Sequence, residues 1–119
     1  MPPPTPLKIK TSSVTRLIKE EHSYHKEIAA HRTKLQQMEA NGEDVYEIKQ
    51  RKMVLADTEQ MIPELHRKLM HAVEALEIVL ETVDEDTEEK QLAQQAVEEA
   101  RKVYEGHTAS AGDDLFPDA

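Results

Sequence analysis

Apolar side chains recur along this chain at helical spacing. Val14, Glu21, Ile28 and Leu35 share one heptad position, Leu17, Tyr24, His31 and Met38 fall three residues later, and Ile18 widens the stripe. A stripe of that width on a period near 3.6 predicts one amphipathic helix over about 13–40. Thr11, Ser12 and Ser13 offer side-chain oxygens to cap its start. Asn41-Gly42 stops it, because both residues tolerate the left-handed conformation of a helix C-terminus. Glu43-Asp44 then places acidic side chains at the positive end of a second helix. There Ile48, Leu55, Ile62, Leu69, Leu76 and Val83 repeat every seven residues without a slip, followed at the third position by Leu65, Ala72 and Val79 and at the fourth by Val73 and Leu80. The pattern predicts a helix over about 44–83, roughly 60 Å long at ~1.5 Å per residue. Pro63 lies in its middle. The register continues through it, so the expectation is one kinked helix, not two. After the acidic turn at Asp84-Glu85-Asp86-Thr87, the positions Leu92, Ala96, Val97, Ala100, Val103 and Tyr104 mark a third, weaker helix over about 87–105, with Gly106 as its stop.

The short connections make neighbouring helices antiparallel. The predicted architecture is therefore all-α: an elongated, coiled-coil-like antiparallel three-helix bundle over residues 13–105, kinked at Pro63. An extended, proline-rich leader over 1–12 precedes it, with Leu7–Lys10 against the bundle's end, and a disordered acidic tail over 106–119 follows. Helix one covers helix two to about Ala72, while helix three doubles back only to about Leu65. The end near Asn41-Gly42 is thus expected to hold two helices and a half-open seam of Leu35, Met38, Val45, Ile48 and Leu55.

Composition narrows the picture. Of 119 residues, 38% are apolar and 33% charged, with one Phe, three Tyr and no Trp. So little bulky apolar mass suits a narrow seam better than a spherical core, given ordering costs of about 1–2 kcal/mol per residue. The net charge of −9 opposes nucleic acid and anionic membrane as partners. Lack of cysteine excludes disulfides, thiolate metal sites and a thiol nucleophile. No secretory signal is visible in residues 1–6, and no apolar run reaches membrane-spanning length.

Catalytic chemistry finds no foothold. None of the six histidines follows a Glu by three residues, as an inward di-iron site in a bundle would need, and H-E-x-x-H is absent. His22 and His25 lie three apart but lack a third ligand, so solvated surface histidines are the expectation; His31 reads as a boundary residue with its polar edge at solvent. There is no Gly-rich phosphate loop, and carboxylate pairs sit on solvated helix faces without a water-excluding pocket. Glu21 on the apolar stripe admits two readings, a register-setting polar residue or a rim position, the latter favoured by heptad drift. The expected function class is a non-enzymatic, cofactor-free protein that binds another protein.

Particular segments also resemble a known family. Leu7-Lys8-Ile9-Lys10-Thr11, followed by Val14, Arg16-Leu17, Lys19-Glu20, Tyr24 and Lys26-Glu27, resembles tubulin-folding cofactor A. So do Asn41-Gly42-Glu43-Asp44 with Tyr46 and Ile48-Lys49, and Met61-Ile62-Pro63 with Arg67, Leu69 and Ala72. The resemblance implies a cytoplasmic, cytoskeleton-associated chaperone that receives β-tubulin after the cytosolic chaperonin and passes it on for αβ-tubulin assembly, without nucleotide, metal or catalysis. Other tubulin-folding cofactors are further implied partners, and the family's members include monomers and homodimers. Against such an acidic partner, the candidate contacts are Lys19, Lys26, Lys49 and Arg67, with Tyr24 and Tyr46 as amphipathic anchors and Pro63 shaping the face; burial in the seam is the more ordinary role for Tyr24. The competing expectation is a homo-oligomeric coiled-coil adaptor zipped through the thin end. A metal-binding four-helix oligomer is a distant third.

Overall fold

A computed structural model describes residues 2–115, with side chains through Gly106. Three helices follow in order: α1 Pro6–Ala40, α2 Val45–Glu81 and α3 Glu88–Leu115. No strand occurs among the described residues, so the all-α expectation holds.

α1 begins seven residues earlier than its predicted start, within what was expected to be an extended leader. The true cap is Thr5, whose Oγ1 accepts the Lys8 backbone N–H at 3.1 Å while its carbonyl accepts that of Ile9 at 3.0 Å. Pro6 then occupies the first helical position, where its missing N–H costs nothing and its fixed φ suits the helix. The hydroxyls of Thr11, Ser13 and Thr15 turn back onto carbonyls four residues earlier and cap nothing.

The α1–α2 connection closes as a Schellman motif. Glu43 N–H donates to the Met38 carbonyl at 3.0 Å and Gly42 N–H to that of Glu39 at 3.2 Å, with Gly42 at φ +64°. Asp44 then caps α2, accepting from Tyr46 N–H at 3.4 Å. α2 runs through Pro63 without interruption, one helix as the register predicts. At the next turn Thr87 Oγ1 accepts the Lys90 N–H at 3.2 Å, and Glu88 and Glu89 fill the first turn of α3. α3 continues to Leu115, so Gly106 is not its stop. A lone glycine weakens a helix by about 1 kcal/mol but keeps its N–H. The expected disorder of the 106–119 tail concerns side chains beyond Gly106 and residues 116–119, which lie outside the described residues.

The chain divides into two compact units. One, Met1–Ile18 with His66–Ala119, packs segments of all three helices. Its core is Leu7, Val14 and Ile18 from α1, Leu69, Val73 and Leu76 from α2, and Ala93, Ala96, Val97 and Ala100 from α3. The inner face of α3 is thus built from small residues, and Leu92, expected inside, is exposed while Ala93 is buried. Arg101 donates to Glu77 at 2.6 Å across the antiparallel α2–α3 pair. Burial pushes the neighbouring Tyr104 phenol above its usual range, with Arg101 pulling the other way.

The other unit, Lys19–Leu65, is a two-helix hairpin of α1 and α2. Ile28, Met38, Ile62 and Leu65 are buried, but Leu35, Ile48 and Leu55 are only half-buried. Two helices leave a seam open on either side. Val45, expected in that seam, is 80% exposed; at the first turn of α2 it lies outside the Ile48–Leu55 stripe. Glu21 is not a rim residue: it is only 4% exposed, and its carboxylate meets His25 Nε2 at 3.0 Å. Drift of about 20° per heptad is too small to carry it off the stripe within the α1 repeat.

Candidate functional site

In the hairpin unit the exposed large apolar side chains all belong to α2: Val45, Tyr46, Met53 and Val54 stand in solvent there. Tyr46, Lys49, Met53, Ala56, Gln60 and Pro63 follow one another at alternating steps of three and four, which aligns them along a single helix face. All six are exposed, Tyr46 at 66% and Met53 at 54%. Val45 and Lys52 flank them on one side and are exposed as well, while Val54, also exposed, lies on the other side of the helix. The stripe is out of phase with Ile48, Leu55 and Ile62, so it faces away from α1. Asp57 lies toward the edge of this face, and Glu59 is turned to α1, where Arg32 donates to it at 2.6 Å. The ridge is therefore mainly apolar, with Lys49 on it and Lys52 beside it, and the exposed carboxylates Asp57 and Glu64 border its other edge.

Three of the seven candidate contacts, Tyr46, Lys49 and Pro63, are brought onto this one face. Lys19 and Lys26 are exposed one heptad apart on the outward side of α1, opposite its Ile28–Met38 side and hence on the other side of the hairpin. Tyr24 is half-buried on the inward side of α1, in the seam. Arg67 is exposed on α2 but belongs to the other unit. Lys52, Met53, Val54 and Ala56 had not been singled out from sequence. The signal for Met53 and Ala56 was present: a second three-four spacing on α2, shifted by two positions from the core repeat.

The histidines form no such site. His22 and His25 are exposed, and His25 is engaged with Glu21. His31 is half-buried, and Arg51 Nη1 approaches its Nδ1 at 3.3 Å. A guanidinium only donates, so Nδ1 is the acceptor, while Nε2 lies 3.5 Å from Glu27 Oε1 and is buried without a hydrogen-bond partner. The polar edge is thus turned inward to Arg51 and Glu27, not to solvent as expected. Among the described residues no group of three or more His, Cys, Asp or Glu side chains could hold a metal ion, and no helix is long and apolar enough to cross a membrane.

Antiparallel helix packing with an exposed apolar and basic helix face defines a helical protein suited to binding a partner along a surface. The chain belongs to the tubulin binding cofactor A family, whose model matches residues 2–103. It is similar to tubulin-folding cofactor A of Arabidopsis thaliana, 40% identical over 96 residues that cover 81% of this chain and 82% of the relative. The crystal structure of the Arabidopsis thaliana protein aligns with a TM-score of 0.76 at 35% identity, over 81% of this chain and 92% of that one. A β-tubulin binding post-chaperonin cofactor of solved structure aligns equally well, with a TM-score of 0.76 at 30% identity, over 85% of this chain and 99% of that one.

Proposed function

We propose that this chain is a non-catalytic chaperone that captures β-tubulin after its release from the cytosolic chaperonin and passes it on, through other tubulin-folding cofactors, for αβ-tubulin assembly in the cytoplasm. The observation that carries the reading is the outward α2 face of Tyr46, Lys49, Met53, Ala56 and Pro63. It supplies apolar area to cover a folding intermediate, and lysines to meet an acidic partner. Family membership supports the identity of that partner, since one structurally similar relative is itself a β-tubulin binding cofactor.

Contact runs through side chains on this helix surface and needs neither nucleotide nor metal. Tyr46 acts as the anchor, because a tyrosine joins apolar area to a polar tip at small entropic cost. Lys49 makes the local ion pair. Lys19, Lys26 and Arg67 belong to a wider rim that a large partner reaches only by wrapping beyond the α2 face, and Tyr24 stays in the seam. With net charge −9 against an acidic partner, overall charge slows encounter, so moderate salt weakens binding little.

Mixing the protein with dissociated tubulin subunits tests the reading. A complex with β-tubulin at micromolar concentration is expected, with little capture of α-tubulin. It should be weakened about tenfold or more by Tyr46→Ala together with Lys49→Glu, a loss of roughly 1.4 kcal/mol or more. Equal capture of both subunits, or an unaffected double variant, would rule it out. A stable homo-oligomer by light scattering that dissociates in the same variant would instead favour the coiled-coil adaptor.

A further inference from the structure

The first nineteen residues hold Lys8, Lys10, Arg16 and Lys19 and none of the chain's 24 carboxylates. Within the unit Met1–Ile18 with His66–Ala119, this basic segment borders an open cleft of about 710 Å³. Pro2 and Pro4 form one wall, and Lys8, Ile9, Ser12 and Arg16 on α1 form the other. No carboxylate lines it. The prolines offer no backbone donors, so their wall is apolar and stiff, and Ile9 opposite is half exposed. Ser12 differs from its neighbours: Thr11, Ser13 and Thr15 spend their hydroxyls on backbone carbonyls, whereas its own is exposed and bonds to nothing among the described residues.

Spacing identifies what fits. Lys8, Ser12 and Arg16 are four apart, so they stack on one face of α1 at intervals of about 6 Å. Side chains on one side of an extended peptide repeat every two residues, at roughly 6.6–6.8 Å. The two repeats nearly match over the two steps that join these three positions. Arg16 already has a partner, but its five N–H donors allow a second acceptor.

We propose that this cleft is a second docking site, which holds an extended acidic peptide segment of another protein. Carboxylates at alternate positions of the peptide meet Lys8, Ser12 and Arg16 on the α1 wall, and the apolar side chains between them, which point the opposite way, rest on the wall of Pro2 and Pro4. The site is separate from the α2 face and does not rest on β-tubulin as its partner. Any protein with an exposed acidic strand or tail of this pattern would satisfy it.

Fluorescence anisotropy on the full chain provides the test, with a labelled peptide alternating Glu with Val and Phe. Saturable binding is expected that weakens with salt and falls about tenfold or more in Lys8→Glu/Arg16→Glu. The same peptide with Gln in place of Glu should not bind, and one with its glutamates clustered should bind more weakly. Lys34→Glu/Lys68→Glu, with the same net charge, should leave binding unchanged and so separates the local site from overall charge. If charge reversal reduces helix content, Lys8→Gln/Arg16→Gln is read instead. Absence of saturable binding, an equal effect of both double variants, displacement by millimolar inorganic phosphate, or tighter binding of a short RNA would each overturn the proposal.

Discussion

Arg32 on α1 donates to Glu59 on α2 at 2.6 Å, and this pair ties the two helices of the hairpin unit together on its solvent side. Both side chains are substantially exposed, 60% and 41%, so the attraction is screened and each side chain loses rotamer freedom. Arg32→Ala should therefore lower stability by less than about 1 kcal/mol. The exchanged pair Arg32→Glu/Glu59→Arg should restore most of that loss. Urea unfolding of the three variants checks it; a loss above about 2 kcal/mol would mean the pair does more than latch an exposed edge.

Leu69 and Val45 both read as seam positions in the heptad pattern, yet Leu69 is fully buried while Val45 is exposed. Leu69→Ala should cost roughly 2–4 kcal/mol, the lost transfer energy plus the cavity left among Val14, Val73 and the α3 alanines. Val45→Ala should cost under about 0.5 kcal/mol. Paired denaturant melts decide, and similar losses at the two sites would contradict the assigned burial.

The difference between these two residues shows how far pattern carries. Core positions of α2 were legible because a seven-residue repeat runs unbroken from Ile48 to Leu76. The thin hairpin was expected from a third helix ending near Glu105; α3 continues to Leu115, so helix length alone does not account for the two-helix unit Lys19–Leu65. Ends were harder. Thr5-Pro6 reads as part of a breaker block until proline is recognised as suited to the first turn, and Gly106 reads as a stop although nothing after it before Pro117 forbids a helix. Glu21 was left ambiguous although His25, four residues on and hence one helical turn away, was there in the sequence as its partner; what spacing could not show was how deeply the carboxylate is buried. The proposed α2 face was partly legible: Tyr46, Lys49 and Pro63 stood out by chemistry, while Met53 and Ala56 required reading a second period on the same helix.

Thr5 has two tasks at the start of α1. Its hydroxyl oxygen accepts the Lys8 N–H, and the hydroxyl donates to Glu89 Oε2 on α3 at 2.9 Å. Thr5→Ala should cost about 1 kcal/mol, within the 0.5–2 range for a lost cap. It should also speed amide exchange at Leu7–Ile9 specifically. Uniform exchange rates in wild type and variant would show that the end is held by Leu7 burial alone.

Tyr104 gives stability a dependence on alkaline pH. Burial raises its folded pKa above the ordinary tyrosine value of about 10, so the folded state holds the phenolic proton longer than the unfolded chain does. The stabilisation is complete below about pH 10 and is lost as pH rises through the folded pKa. The stability difference between wild type and Tyr104→Phe should thus stay constant below that range and shrink above it. Thermal melts of both proteins across the range measure it, and a difference that is flat throughout would show no linkage.

Pro63 separates folding from shape. It is exposed in the middle of α2, lacks the N–H that would bond the carbonyl four residues earlier, and lies at the end of the Tyr46–Lys49–Met53–Ala56 face. Pro63→Ala restores that donor and removes the ring's clash with the preceding turn. The unfolded chain gains some freedom in exchange, worth about 0.4–1 kcal/mol, which is less than a mid-helix proline ordinarily costs. Stability should therefore hold or rise. Binding should move the other way: if the proline bends α2 so that its outward face fits a curved partner, straightening lifts part of that ridge off the surface. β-Tubulin capture by Pro63→Ala should weaken while its melting temperature is unchanged or higher. Crystallography of the variant would show whether α2 straightens, and a straightened helix that still binds at wild-type strength would leave Pro63 without a role in recognition.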